Sequence, residues 1–297
     1  MVSRRGFVQG AAASVVVGRA LLGSRAWAYP LGLPLGLQIY SVRDELPKDF
    51  AGTLKQIGAL GYQEVEGADV AGLYKKPAAE VKQAVSDAGL RWVSAHYSWG
   101  ALAPDMEKAF AYQKELGAQY VICASPGRKD ASAGGGGMHG LTMDDWRYNA
   151  ENFNKAGEKA KSMGLKFGYH NHVAEFAAEG GLVPYDELLR LTDPALVTFE
   201  MDCGWVSVGG GDPVAYLKKY PTRISMLHVK DFKPKAAGQE RPEAADLGKG
   251  TVDFRPIFAA AKAGGHIRHM FVEQEGFDEP WTEALKTDAA YMAQFHG

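Results

Sequence analysis

Four segments of this chain end an apolar run in side chains that bind metals or move protons: KFGYHNHVAEF, TFEMDCGW, ISMLHVKDF and HMFVEQEGF. In order they present His170, His172 and Glu175, then Asp202, then His228, Lys230 and Asp231, then Glu273 and Glu275. Imidazoles and carboxylates at the same end of successive apolar runs converge only in a fold that gathers those ends, as a closed parallel barrel does. The pattern predicts one divalent ion over a barrel mouth. Hard ions such as Mn2+ or Mg2+ accept mixed carboxylate and imidazole donors, whereas a thiolate-rich set would have indicated zinc. Asp202 is the strongest ligand candidate, because an acid closing the run LVTFEM would otherwise be an unpaired charge at the edge of the core. Its competing role is a helix cap. His228 closes ISML and Glu273 closes HMFV in the same way, with a satisfied core histidine and a surface ion pair as their competing roles. The tip of KFGYHNHVAEF stays open between His170, His172 and Glu175.

The elements that must position these groups alternate between strand-length and helix-length segments. LGLQIYS, YQEVEG, RWVSAH, YVICAS, KFGYHNH, LVTFEMD, ISMLHVKD and HMFVEQE are apolar and rich in β-branched or aromatic residues, as strands require. Helix-period segments follow them at 48–60, 77–88, 105–116, 143–163, 185–191, 213–219, 254–263 and 281–295. Gly61, Gly89, Gly117 and Gly164 fall where helices would stop, and Asp212-Pro213 where one would start. Repeated βα units predict a single (β/α)8 TIM barrel over residues 29–297, and the 46% hydrophobic content suffices for its core. A doubly wound open sheet would bring a glycine-rich turn after the first strand, and LGLQIYSVRDEL has none.

Residues 1–28 read as a twin-arginine export signal. Ser3-Arg4-Arg5-Gly6-Phe7-Val8 opens it, a short apolar stretch interrupted by Arg19 follows, and Ala26-Trp27-Ala28 supplies a small-x-small cleavage site. The apolar stretch is too short and too charged to span a bilayer, so the mature chain is expected free in the periplasm. Losing Arg4, Arg5, Arg19 and Arg25 makes the net charge of −2 more negative, which argues against a nucleic-acid partner. Cys123 and Cys203 each end an apolar run and read as small buried residues rather than a disulfide.

Secondary candidates cluster at other strand tips. His96 follows the third strand, where it could hold a hydroxyl or shuttle a proton, with Tyr97 and Trp99 beside it as ring-stacking or ordinary packing residues. Gln38, Tyr40, Glu66 and Trp205 are candidate substrate contacts, and Lys230 either balances the acids or donates to a substrate oxygen, with Asp231 as its pair. The four-glycine stretch 134–137 lacks a following Gly-Lys-Ser/Thr and is a lid or filler, not a phosphate cradle. Leu247-Gly248-Lys249-Gly250-Thr251 is either a tight loop or a backbone approach to ligand.

Taken together, YHNHVAEF, MDCGW, LHVKD, LGKGTVDF and FVEQE resemble the xylose isomerase-like TIM-barrel superfamily, in particular its sugar phosphate isomerase/epimerase branch. The likeness spans essentially the whole chain after residue 28 and is specific in combination only. It implies a Glu, Asp, His, Glu quartet around Mn2+, with Mg2+, Co2+ and Zn2+ as alternatives, and it assigns the last three positions to Asp202, His228 and Glu273. The first position departs from the family, since His170-Asn171-His172 stands where Glu-Asn-His is commoner. Glu175 folding back from the loop is favoured over His170, because a hard cation gains more from a second anion. His172 then orients or touches substrate.

The resemblance implies proton abstraction beside a carbonyl, with the ion stabilising an enediolate. Glu273 would be the base on one face of a sugar or keto-sugar, Glu175 its counterpart on the other, and His96 a proton shuttle. Such an enzyme is an isomerase or epimerase. The same site would be a lyase of the inosose dehydratase or keto-glycoside type if the enediolate expels hydroxide, and a noncatalytic sugar-binding barrel would keep only the scaffold. The expected partner is a small sugar, unphosphorylated if the chain is exported; self-association is left open, and no membrane is involved after signal cleavage.

Overall fold

The computed structural model describes residues 29–130, 138 and 140–295. The expected export signal at 1–28 and the glycines at 134–137 lie outside the described residues. Eight parallel strands close a barrel: β1 (Gly36–Gln38), β2 (Glu64–Gly67), β3 (Arg91–Ser98), β4 (Tyr120–Ser125), β5 (Lys166–His170), β6 (Val197–Asp202), β7 (Ile224–Val229) and β10 (His269–Val272), the last pairing with β1. Between β7 and β10 a short antiparallel ribbon joins β8 (Asp231–Phe232) to β9 (Ala244–Ala245). The expected (β/α)8 architecture is therefore present. The apolar runs outlast the strands, however, because β5, β7 and β10 stop where polar tip residues leave the ladder and β1 stops where a 3-10 turn, Ile39–Val42, begins.

The outer helices are α1 (Phe50–Ala59), α2 (Ala78–Asp87), α4 (Met106–Leu116), α5 (Met143–Ser162), α6 (Pro184–Leu191), α8 (Pro213–Lys219), α9 (Phe254–Gly264) and α10 (Trp281–Met292). They match the helix-period segments to within a few residues. Two short helices were not legible from periodicity, α3 (Trp99–Leu102) and α7 (Cys203–Val208), each directly beyond a strand tip. Among the described residues no helix is long and apolar enough to cross a membrane.

Strand alternation sorts side chains into two populations. Val121, Cys123, Leu227, Val229, Met270 and Val272 join the main core between strands and helices. Their neighbours Ile122, Met226 and Phe271 join Val93 and Tyr120 in a separate small cluster inside the barrel. Gly168 admits that cluster, since a Cβ there would lie 2.7 Å from Ile122 Cδ1. One step down each strand the interior turns polar, with Glu64 bonded to Arg91 at 2.6 Å and His269 at 2.8 Å. One step up stand Glu66, His228 and Glu200, and beyond them Asp202, Lys230 and Glu273. Each step of two residues rises about 7 Å, so the apolar belt insulates the upper polar layers from the lower end. Cys123 and Cys203 are buried and unpaired.

Asp288 on α10 ties the loops at the mouth, accepting from Leu247 N at 2.8 Å and from Gln274 Nε2 at 2.6 Å. Burial pushes its carboxyl up to about 7. A raised carboxyl stabilises the fold fully below the unfolded value of about 3.9, and that contribution is lost as pH rises through the folded value. Urea midpoints of the wild type relative to Asp288→Asn are expected to fall between about pH 4 and pH 7 and then level off. A flat difference across that window would contradict the assignment.

Candidate active site

The site is built by residues that leave the ends of β5, β6, β7 and β10. A register shift between Phe199 and Glu200 sets Asp202 level with His228 on the neighbouring strand. Asn171 fixes the spacing on the other side: its Oδ1 accepts from Asp202 N at 3.0 Å and its Nδ2 donates to Asp202 O at 3.3 Å. Of the two roles foreseen for Asp202, the helix cap is present, and it leaves one carboxylate oxygen over. Oδ1 caps α7 by accepting from Trp205 N at 2.8 Å, while Oδ2 is buried without a hydrogen-bond partner.

Among the described residues, one donor atom from each of His170, Asp202, His228 and Glu273 lies within 4.8 Å of the others. A second such group, deeper in the barrel, comprises His96, His170, Glu200 and His228. Glu175 belongs to neither, which corrects its expected place as the fifth-strand donor. It sits in a 3-10 turn, Ala174–Phe176, where its Oε1 accepts from Tyr169 Oη at 2.5 Å and from His172 N at 2.9 Å. Tyr169 packs on Phe153 of α5 in the helix layer, so this bond ties one oxygen of the carboxylate to that layer. His170, on the strand itself, stands at the mouth instead.

Charge in the site is unevenly matched. Lys230 Nζ contacts Glu273 at 2.6 Å, Glu275 at 2.8 Å and Asp202 at 3.7 Å, and lies 5.2 Å from the Trp205 ring centroid. Asp231 is not its partner. Burial tends to raise Glu273, but Lys230 and His228 hold it well below the usual carboxylate range. Burial pushes Asp202 up to about 6 despite Lys230, and Glu175 up to about 7. Burial, then Lys230, brings His172 down to about 3. Burial tends to lower His96, but Glu66 and Glu200 raise it to about 9.

Other candidates separate into contacts and packing. Gln38 Nε2 donates to Glu66 Oε2 at 2.9 Å, so both belong to the interior polar layer. His96, its side chain 12% exposed, reaches Glu200 at 2.6 Å and Glu66 at 3.0 Å through Nε2. His172 and Trp205 lie together, ring centroids 6.1 Å apart, and His172 Nδ1 and Trp205 Nε1 are buried without partners. Tyr40 is exposed at the rim under Arg43. Tyr97 and Trp99 are packing residues: the Tyr97 hydroxyl accepts from Gln113 and Trp99 meets Phe153 edge-on.

Leu247–Thr251 is a tight loop closed by the protein itself. Asp231 Oδ2 accepts from Gly248 N and Gly250 N at 3.0 Å each, and Oδ1 from Phe232 N at 2.9 Å and Val252 N at 3.0 Å. Gly250 is required, because a Cβ there would lie 2.2 Å from Asp231 Oδ1. Two residues central to the site escaped sequence reasoning. Glu200 lies inside an apolar run, its only signal being the i, i+2 spacing to Asp202, and Asn171 lies between two histidines that drew attention from it.

The donor set fits a divalent cation. Within the mouth group Asp202 Oδ2 is a buried acceptor without a hydrogen-bond partner, and Lys230, the one buried lysine or arginine among the described residues, lies 3.7 Å from it. Two imidazoles and two carboxylates can satisfy a four-donor ion.

Comparison with known proteins agrees with the geometry. A profile described as xylose isomerase-like TIM barrel matches residues 54–295. The inosose dehydratase of Lacticaseibacillus casei is 26% identical over 257 residues, covering 78% of this chain and 84% of that protein. The crystal structure of a sugar phosphate isomerase/epimerase from Parabacteroides distasonis superposes with a TM-score of 0.72 at 29% identity, covering 89% of this chain and 96% of that one. A structure named as IOLI protein with a binding zinc atom shares the fold, with a TM-score of 0.69 at 13% identity over 89% of this chain and 98% of that one.

Two substitutions test the electrostatics. Asp231→Ala strands four backbone donors and is expected to cost about 3 kcal/mol or more, with accelerated amide exchange at Gly248, Gly250 and Val252. Lys230→Met leaves buried carboxylates unneutralised; chelator-treated protein should lose about 3–5 kcal/mol in denaturant titrations and regain part of it with excess Mn2+. Loss without recovery would argue against a cation site.

Proposed function

Because this chain belongs to the xylose isomerase-like TIM barrel family, we propose that it is a divalent-metal-dependent enzyme that isomerises or epimerises a sugar or keto-sugar through an enediolate. The observation that carries the reading is the convergence of His170, Asp202, His228 and Glu273 within 4.8 Å at the mouth of the barrel. Those four residues would hold the ion. When bound, it supplies a Lewis acid that polarises the carbonyl and stabilises the enediolate.

The chain's own groups divide the remaining work. Glu273 is kept ionised by Lys230 and His228, so it is competent to take the proton beside the carbonyl. His96 is the candidate on another strand to return a proton, a role not given to Glu175, which lies outside the mouth group and is held by Tyr169 and His172 N. His172 Nδ1 and Trp205 Nε1 are unpartnered polar atoms suited to sugar hydroxyls. Mn2+ remains the proposed ion, with Mg2+, Co2+ and Zn2+ as alternatives. His170 in place of a carboxylate makes the set richer in nitrogen and moves it toward Zn2+, the metal named for the third structure above.

A second reading, elimination of water from the same enediolate, is favoured by the inosose dehydratase relative. The two separate cleanly: solvent deuterium entering a keto-sugar without water loss supports isomerisation, and an ultraviolet-absorbing enone supports elimination. Residues 1–28 are proposed to export the folded, ion-loaded chain to the periplasm, which favours unphosphorylated substrates. For either chemistry, Asp202→Asn is expected to abolish stoichiometric ion binding and to lower turnover by more than about 100-fold. Elemental analysis showing full ion content in the variant, or none in the wild type, would overturn the metal reading.

A further inference from the structure

Glu200 is fully buried two residues before Asp202, and nothing in the proposed chemistry uses it. Its Oε2 lies 2.6 Å from His96 Nε2, 3.1 Å from His170 Nδ1 and 3.2 Å from His228 Nε2. Glu66 Oε2 lies 2.6 Å from His228 Nε2 and 3.0 Å from His96 Nε2. The other nitrogen of His228, Nδ1, stands 3.2 Å from Glu273 at the mouth. His170 and His228 thus belong to both donor groups, the one at the mouth and the deep one.

A neutral imidazole has one lone pair and one N–H. Each shared ring can therefore serve one group as a ligand only by serving the other as a hydrogen-bond donor. Distance decides which way round this is. Donor atoms bonded to one divalent ion at about 2.1 Å sit roughly 2.9 Å or more apart. The contacts from His96 to Glu200 and from His228 to Glu66 are shorter than that and are charge-assisted N–H···O bonds. The deep layer is a hydrogen-bonded floor, and the lone pairs face the mouth.

We propose that Glu200 and Glu66 are positioning residues that fix the tautomers of His170 and His228. His170 Nδ1–H and His228 Nε2–H then point into the barrel, which leaves His170 Nε2 and His228 Nδ1 as ligand atoms and limits the mouth to a single ion. The ligand role rests on the metal-centre reading above. The His170 tautomer follows from its Nδ1 contact to Glu200; His228 meets carboxylates at both nitrogens, and its tautomer follows from the shorter contact, Nε2 to Glu66 at 2.6 Å against Nδ1 to Glu273 at 3.2 Å. A fixed imidazole orientation is what a metal site gains from carboxylates behind its histidines.

Long-range 1H–15N spectra of full-length protein loaded with Zn2+ read both tautomers directly. The expected result is one Zn2+ per chain, with His170 protonated at Nδ1 and His228 at Nε2. The reverse tautomer in either ring, or a second tightly held Zn2+, overturns the proposal. In competition with a chromophoric chelator, Glu200→Gln should bind Zn2+ about 10–100-fold more weakly. Glu64→Gln, which removes an equally buried carboxylate at the other end of the barrel, should bind it unchanged. A folded Glu200→Gln protein with wild-type Zn2+ affinity overturns the proposal, and if that variant does not fold the wild-type spectra decide alone. Wild-type protein that binds no Zn2+ but keeps His170 Nδ1–H overturns the metal centre and upholds the anchor. Bound Zn2+ with His170 protonated at Nε2 does the opposite.

Discussion

Buried negative charge in the upper half of the barrel, from its floor to its mouth, is the constraint on which the rest of the structure depends. Glu66, Glu175, Glu200, Asp202 and Glu273 are all withdrawn from water, and Lys230 is the one buried lysine or arginine among the described residues. An ionised carboxylate in such a setting is costly unless hydrogen bonds or opposite charge surround it. Each acid meets this differently. Glu273 leans on Lys230 and His228, Glu66 and Glu200 on imidazole donors, Asp202 on a helix N-terminus through one oxygen only, and Glu175 on Tyr169. The Asp202 oxygen left over at the mouth is what makes a cation there physically reasonable.

Strand alternation turns this chemistry into layers. Along β7 the interior positions run Met226, His228, Lys230, and along β10 they run His269, Phe271, Glu273. An apolar belt therefore lies between two polar zones, and the upper zone has a solid floor. Electrostatic interactions above that floor act in a water-poor environment and are correspondingly strong. The loops over the mouth are stiffened by carboxylates too: Asp231 gathers three backbone donors of one loop and one from its own ribbon, and Asp288 links that loop to Gln274 after β10. These two acids fix backbone, whereas the Glu273 carboxylate at the mouth meets the side chains of Lys230 and His228.

Much of this was readable along the chain, because apolar runs and their periods record which faces are buried. LVTFEMD marks both a strand and the acid at its tip, and Asp212-Pro213 marks a helix start that the structure shows with Asp212 accepting from Val214 N and Ala215 N. The fifth-strand tip was not readable in the same way. His170 and Glu175 are separated by a turn, and the Tyr169 hydroxyl, contributed by the opposite face of the same strand, decides where the carboxylate goes. Glu200 was hidden because an acid within an apolar run carries no sign of which partners face it across a closed barrel. Tyr97 and Trp99 beside His96 had the composition of a sugar platform, yet both are buried, with the Tyr97 hydroxyl taken by Gln113 and Trp99 packed on Phe153.

The amino-acid sequence by itself determined the βα repeat, the closed barrel it implies and the chemistry available at the strand tips, since hydrophobic period and side-chain type are local properties. Only the tertiary structure decided that His170 rather than Glu175 joins Asp202, His228 and Glu273. It also decided that Glu66 and Glu200 stand behind the histidines and that Asp231 closes its own loop. Those outcomes depend on distances between side chains from non-adjacent parts of the chain, set by barrel closure, strand register and competition for hydrogen bonds.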